Sequence, residues 1–358
     1  MFVAPGRSPV KNARVKIPRG SFSPVAPVAP VASGSPASTL PVRRVVLERT
    51  LTAFLAAPPV LLAVWAGGAW FLLGLAIIVG AGLHEFYGLA RRTGAIVVAP
   101  VGFFLAGSLL LLSPGAELLL VSLGDIADAG AFRSSVIEIL NSSASKRELV
   151  LTVTVVAPLV ALLFHREASR NRLTGWAVTV LGAWYVTWLL GRVGALRLLD
   201  APSEAFAGGR GWVFLVLGAT WACDTGAYFV GTRFGRTKLM PWISPGKTWE
   251  GAGGGVLLTV AIVWMASVDL AAYVPGLTAI GWRPLPIPII HIVPLAIGIA
   301  IAAVIGDLAE SMVKRDAGAK DASGFFPGHG GMFDRIDSVL FTAPFVYYYA
   351  GALLGTAA

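Results

Sequence analysis

The sequence predicts an all-α, polytopic integral membrane protein with about nine transmembrane helices and a cytoplasmic amino terminus. Three observations carry that expectation. Hydrophobic residues make up 56% of the 358 and charged residues only 13%, whereas a soluble domain holds about 25% charged residues. Mean hydropathy is +0.75. Apolar stretches of membrane-crossing length recur along the chain, and its bases gather in alternate connections between them.

The elements follow in chain order. Residues 1–41 are rich in Pro, Ala, Ser and Val, with Arg7, Lys11, Arg14, Lys16 and Arg19 and no acid. The run "SPVAPVAPVASGSPAS" has too much proline and too little period for a helix. No apolar core follows the charges, so the segment reads as a disordered basic tail and not a signal peptide. It suits contact with anionic lipid and equally suits a solvated tail without a role. Residues 42–358 form the transmembrane domain. A helix needs about 20 mostly apolar residues to cross a bilayer, and candidates lie near 51–66, 69–84, 96–113, 149–165, 173–190, 212–230, 251–268, 288–307 and 338–356. With the amino terminus inside, 21 of the 28 bases fall on the cytoplasmic side. That split orients the chain. It places loops 231–250 and 308–337 in the cytoplasm and leaves 114–148 as an extracytoplasmic structural insertion. The single Cys223 excludes an internal disulfide and reads as a small buried side chain.

Ionisable groups inside spans are expensive, so they point to function. Asp224 lies in "TWACDTGAYFVG" and Asp307 in "AVIGDLAESMVKRD". If the helix carrying Asp307 continues past the membrane, Asp307, Ser311 and Lys314 share one face. Glu310 and Asp316 read as interfacial residues whose heads reach water. Beyond them, Lys314 to Asp337 holds four bases, four acids, five glycines and His329. Asp334 and Asp337 open the last span. There they suit either a helix amino terminus or, with Asp307, an oxygen-only site for Mg²⁺. No Cys/His cluster suggests zinc. "PGHGGMFDR" offers mobile backbone whose amides can face an anion, and Lys314, Arg315, Lys320 and Arg335 can balance phosphate charge. His329 can donate to a phosphate, or it is a plain loop histidine. Carboxylates for metal beside bases for phosphate describe phosphoryl-group chemistry.

The 231–250 loop carries "SPGKT". A Walker loop would need glycine at 241, where proline stands, and a preceding strand, so that reading fails. Lys247, Thr248 and Glu250 still fit a nucleotide- or phosphate-binding loop, and "GAGGG" after them fits close helix packing.

With both loops in view, "SMVKRDAGAKDASGFFPGHGGMFDRID" resembles the signature of the phosphatidate cytidylyltransferases (CDP-diacylglycerol synthases). Ser311, Lys314-Arg315, Lys320-Asp321, His329-Gly330-Gly331 and Asp334-Arg335-Ile336-Asp337 all stand at that pattern's spacing. "CDTGAYFVGTRFGRTKL", "SPGKTWEG" and the early "HEFYGLA" are similar to other family blocks, so the likeness covers about residues 48–355. The tail and the 114–148 insertion depart from the shorter bacterial pattern.

The resemblance implies that CTP and phosphatidic acid give CDP-diacylglycerol and pyrophosphate with Mg²⁺, for phospholipid synthesis at the inner membrane. It implies Asp307 and Asp334 as metal ligands, with Asp337 or Asp224 nearby, and a homodimer. The lipid phosphate is already an anion near neutral pH, so no strong base is needed; the task is to bring two polyanions together. Lys247 and the four loop bases would neutralise phosphate charge, and Ser311 and Thr248 would donate hydrogen bonds. Two rivals remain. A CTP-dependent polyprenol- or phytol-type kinase would need a base for its alcohol acceptor. A transporter using Asp224 and Asp307 would need inverted repeats, and none is evident.

Overall fold

The last two helices cross so closely that side chains are excluded at the contact, and this crossing positions the candidate site. In the computed structural model the described residues are 57–113, 144–164, 172–199, 208–274, 276, 283–324 and 330–355. All fall in one compact unit, Arg43–Ala358. The tail 1–41, the first part of the 51–66 span, nearly all of the 114–148 insertion and His329 lie outside them.

The helices follow the apolar stretches. They are α1 (Ala57–Ala66) and α2 (Gly68–Arg92), then α3 (Ala99–Leu111), α4 (Ala144–Leu163) and α5 (Arg172–Leu196). After these come α6 (Gly208–Phe234), α7 (Trp249–Ser267), α8 (Ile289–Asp316) and α9 (Phe333–Leu354). Among the described residues, α2, α5, α6, α7 and α8 are long and apolar enough to cross a membrane; α1, α3 and the apolar part of α4 are shorter. Leu257 on α7 and Ile289 and Ile290 on α8 point outward, 74%, 83% and 76% exposed. Such outward apolar faces on long helices mark a membrane protein.

The fold is mostly helical, as expected, with one small two-stranded sheet among the described residues. Between α6 and α7 the chain forms an antiparallel hairpin, β1 (Lys238–Met240) and β2 (Ser244–Thr248). Pro241 and Pro245 forbid a helix here. Pro241 also suits the turn in which Ile243 N–H donates to Met240 C=O at 3.2 Å. Trp249 N–H donating to Thr237 C=O at 3.0 Å closes the hairpin's base. "GKT" therefore ends a strand that feeds a helix, a strand context the sequence did not reveal. Pro241 still occupies the Walker glycine position.

Small residues let these helices approach. A Cβ on Gly226 of α6 would lie 2.5 Å from Gly254 C=O on α7, and one on Gly254 would strike the Val230 side chain. Lipid offers no hydrophobic drive between helices, so such close packing carries the association. Cys223 is buried in this contact, as expected. A Cβ on Gly306 of α8 would lie 2.5 Å from Asp337 C=O and 2.9 Å from Ser338 Cα on α9. Ser338 Oγ donates to Ala303 C=O across the same contact at 3.2 Å. Thr220 of α6 and Thr342 of α9 pair their hydroxyls at 2.9 Å, so these two buried groups are matched between helices. Within α5, residues Trp184–Trp188 widen into a π turn.

Gly306→Leu should force α8 and α9 apart, costing about 1–3 kcal/mol. In detergent it should lower the temperature at which the size-exclusion peak is lost. Gly253→Ala, where an added Cβ meets nothing within 4 Å, should leave that temperature unchanged.

Candidate active site

Helix α8 runs unbroken to Asp316, so Asp307, Glu310, Ser311 and Lys314 leave the apolar span on consecutive turns. The helix stops at Gly318, whose φ of +61° suits the left-handed position after a helix end. The chain then folds back under itself, with Ala317, Ala319 and Ala322 buried. Residues 330–337 bring Asp334 and Asp337 to face α8.

The charged groups meet in two linked clusters. In the first, one carboxylate oxygen each from Asp307, Glu310 and Asp337 lies within 4.8 Å of the others. Asp307 Oδ2 accepts from Lys247 Nζ at 2.7 Å, and Asp307 Oδ1 accepts from Ser311 Oγ at 3.3 Å. Lys247 also reaches Val304 C=O at 3.4 Å, so β2 is tied to α8 at this point. In the second cluster Lys314 Nζ lies 2.6 Å from Glu310 Oε2 and 2.7 Å from Asp334 Oδ1. Glu310 is almost wholly buried, contrary to the expectation that its head reaches water. Its neighbour on the next turn, Lys314, supplies the charge that makes this burial tolerable.

Asp334 is held on several sides. Besides Lys314, it accepts from the amides of Ala322 at 3.0 Å and Gly331 at 2.6 Å. A Cβ on Gly330, whose φ is +73°, would strike the Asp334 carboxylate. The adjacent Gly331 faces Glu85, and a Cβ there would overlap its carboxylate. The Gly-Gly pair is thus a requirement of space, since two carboxylates approach bare backbone.

Glu85 is the group that sequence reasoning missed. It comes from α2 and is buried. It accepts from Ser323 Oγ at 2.6 Å and from Phe333 N–H at 2.7 Å. It therefore ties Ser323 and Phe333 to α2. The available signal was an acid at the edge of an apolar span; the sequence reading closed that span at residue 84.

The remaining predicted residues are placed as follows. Asp224 is exposed on α6, and Asp316 is exposed at the end of α8. Asp224 lies within electrostatic range of Asp307, Lys247 and Arg335. Arg315, Lys320, Asp321 and Arg335 are exposed around the site. Thr248 Oγ1 caps α7 by accepting from Gly251 N–H at 3.1 Å. The Glu250 carboxylate accepts from the amides of Arg236 and Thr237, both at 3.1 Å. Both residues therefore brace the hairpin that carries Lys247.

Comparison with known proteins gives the family. The model of the family described as "Cytidylyltransferase family" matches residues 47–353. The chain belongs to the cytidylyltransferase family. A phosphatidate cytidylyltransferase of Haemophilus influenzae is 30% identical over 284 residues, covering 78% of this chain and 89% of the relative. One from Synechocystis is 31% identical over 295 residues, covering 80% and 90%. One from Bacillus subtilis is 39% identical over 140 residues, covering 39% of this chain and 47% of the relative. In this cytidylyltransferase both clusters lie inside the matched region.

Lys314→Met should leave Glu310 and Asp334 buried without their shared cation, at a cost of about 3–5 kcal/mol. Thermal unfolding in detergent should show that loss. Lys314→Arg should recover part of it, because the positive charge is retained.

Proposed function

We propose that the protein transfers a cytidylyl group from CTP to phosphatidic acid, releasing pyrophosphate and forming CDP-diacylglycerol for phospholipid synthesis. The observation that carries this reading is the group of Asp307, Glu310 and Asp337 facing Lys247, within a chain of the cytidylyltransferase family. Relatives that it aligns with nearly end to end are named for phosphatidate.

The donor set fits Mg²⁺: three carboxylates converge, and no sulfur or imidazole stands among them. Asp307 and Asp337, with Glu310, would hold the ion. Bound there, it would neutralise phosphate charge and orient the triphosphate. Asp334, which the family resemblance implies as a ligand, already receives Lys314 and two amides, so in this reading it fixes Lys314 and the 330–334 backbone.

The lipid phosphate oxygen forms the new bond to the α-phosphorus, and the bond to the pyrophosphate oxygen breaks. The acceptor arrives as an anion, so the chain needs no strong base. Lys247 stands at the carboxylates and Arg335, Arg315 and Lys320 at the exposed rim, where they offset the two polyanions' repulsion. Ser311 orients groups at the same end of α8, with Asp321 exposed on the residues that follow the helix. About nine spans, an inside amino terminus, a cytoplasmic face for this site in the inner membrane and a homodimer complete the reading.

The test is purified protein in detergent with phosphatidic acid, α-labelled CTP and Mg²⁺. Label should enter the lipid phase as pyrophosphate enters water, and EDTA should stop both. Release of CDP with phosphate on a lipid alcohol would replace this reading with a kinase.

Asp307→Asn should remove turnover while the protein stays folded, and Asp334→Asn should remove turnover together with a lower unfolding temperature in detergent. Asp337→Asn should raise the Mg²⁺ concentration needed for half-maximal rate. Wild-type rates in either of the first two would take that residue out of the site.

A further inference from the structure

The β1–β2 hairpin has features that the transfer reaction does not use. It leaves α6 at Phe234 and enters α7 at Trp249. Both helices are long and apolar enough to cross a membrane, so the hairpin joins them at one membrane surface. Its large aromatic residues are uncovered: Trp242 at the turn is 74% exposed, Phe234 63% and Trp249 62%. Indole side chains prefer the headgroup layer, where the ring leaves water and its N–H keeps a partner.

Charge agrees with the aromatic pattern. Arg233, Arg236 and Lys238 are all exposed, and no acid occurs between Asp224 and Glu250. Glu250 is directed at the backbone amides of Arg236 and Thr237. That contact and the turn at Pro241 give the hairpin a defined shape, so Trp242 is presented on a built tip. Strand β2, which follows that tip, carries Lys247 to Asp307.

We propose that this hairpin is a membrane-surface anchor seated among anionic lipid headgroups. Trp242 and Trp249 enter the interfacial layer while Arg233, Arg236 and Lys238 meet lipid phosphates, which fixes Lys247 at headgroup depth. The charge complementarity selects an anionic bilayer as the occupant, because a second copy would set this basic surface against another like it. That the held lipid is the substrate rests on the cytidylyl-transfer reading; the anchor itself does not.

The experiment uses the full chain in nanodiscs, with Trp242→Cys in a Cys223→Ala background carrying an environment-sensitive fluorophore. Nitroxide placed near the lipid headgroups should quench it strongly and aqueous iodide weakly, with the contrast greater in phosphatidylglycerol than in phosphatidylcholine. Arg236→Ala with Lys238→Ala should reduce the headgroup quenching. In phosphatidylglycerol vesicles at low salt, it should also raise the apparent KM for phosphatidic acid about fivefold per removed charge, leaving that for CTP unchanged. Iodide quenching as strong as that of free dye would overturn the anchor. So would headgroup protection that depends on protein concentration and persists in detergent, which would assign the face to a second copy. Quenching is read without turnover, so its success beside an absent transfer reaction would reject the reaction and keep the anchor.

Discussion

The ammonium of Lys314, set between the carboxylates of Glu310 and Asp334, is the contact on which the site's architecture depends. Each acid alone would be costly at this depth, and together they would repel. A shared cation makes both tolerable and ties the end of α8 to the start of α9. Asp334 is thereby oriented to receive the Ala322 and Gly331 amides. Asp337, one turn further along α9, then faces Asp307. Removing the ammonium would disturb loop, helix register and carboxylate group together.

Close backbone contact supplies the rigidity that such a cluster needs. Gly306 lies one residue before Asp307 and against the Asp337 carbonyl, so the shortest approach of α8 and α9 falls beside the acids that converge. The glycines between α6 and α7 serve the hairpin in the same way, holding the two stems from which Lys247 is projected. Helix packing and site geometry are one problem here, because the carboxylates' spacing is set where the backbones touch.

Much of this was legible in the sequence. Apolar stretches marked the helices, and charge concentrated in two loops marked the candidate site. Asp224 and Asp307 were recognisable as acids where a membrane chain should have none, and Asp337 as an acid opening the last span. Three features were not legible, for physical reasons. Glu310 reads like any acid near a helix end, and only Lys314 on the next turn with Asp334 across the crossing reveals why it can be buried. The roles of Thr248 and Glu250 as braces depend on a hairpin that two prolines and a turn create, which helical periodicity does not report. Glu85 contacts residues far away in the chain, and no local pattern encodes that pairing.

That distance has a consequence for biosynthesis. Glu85 bonds to residues 238 and 248 positions later in the chain. At synthesis rates of about 5–20 residues per second, its partners emerge roughly 12–50 s after it does. During that interval the α2 carboxylate has neither Ser323 nor the Phe333 amide to meet. Maturation of the site therefore waits for α9, and nascent chains lacking it carry an unfinished centre whatever the state of their earlier helices.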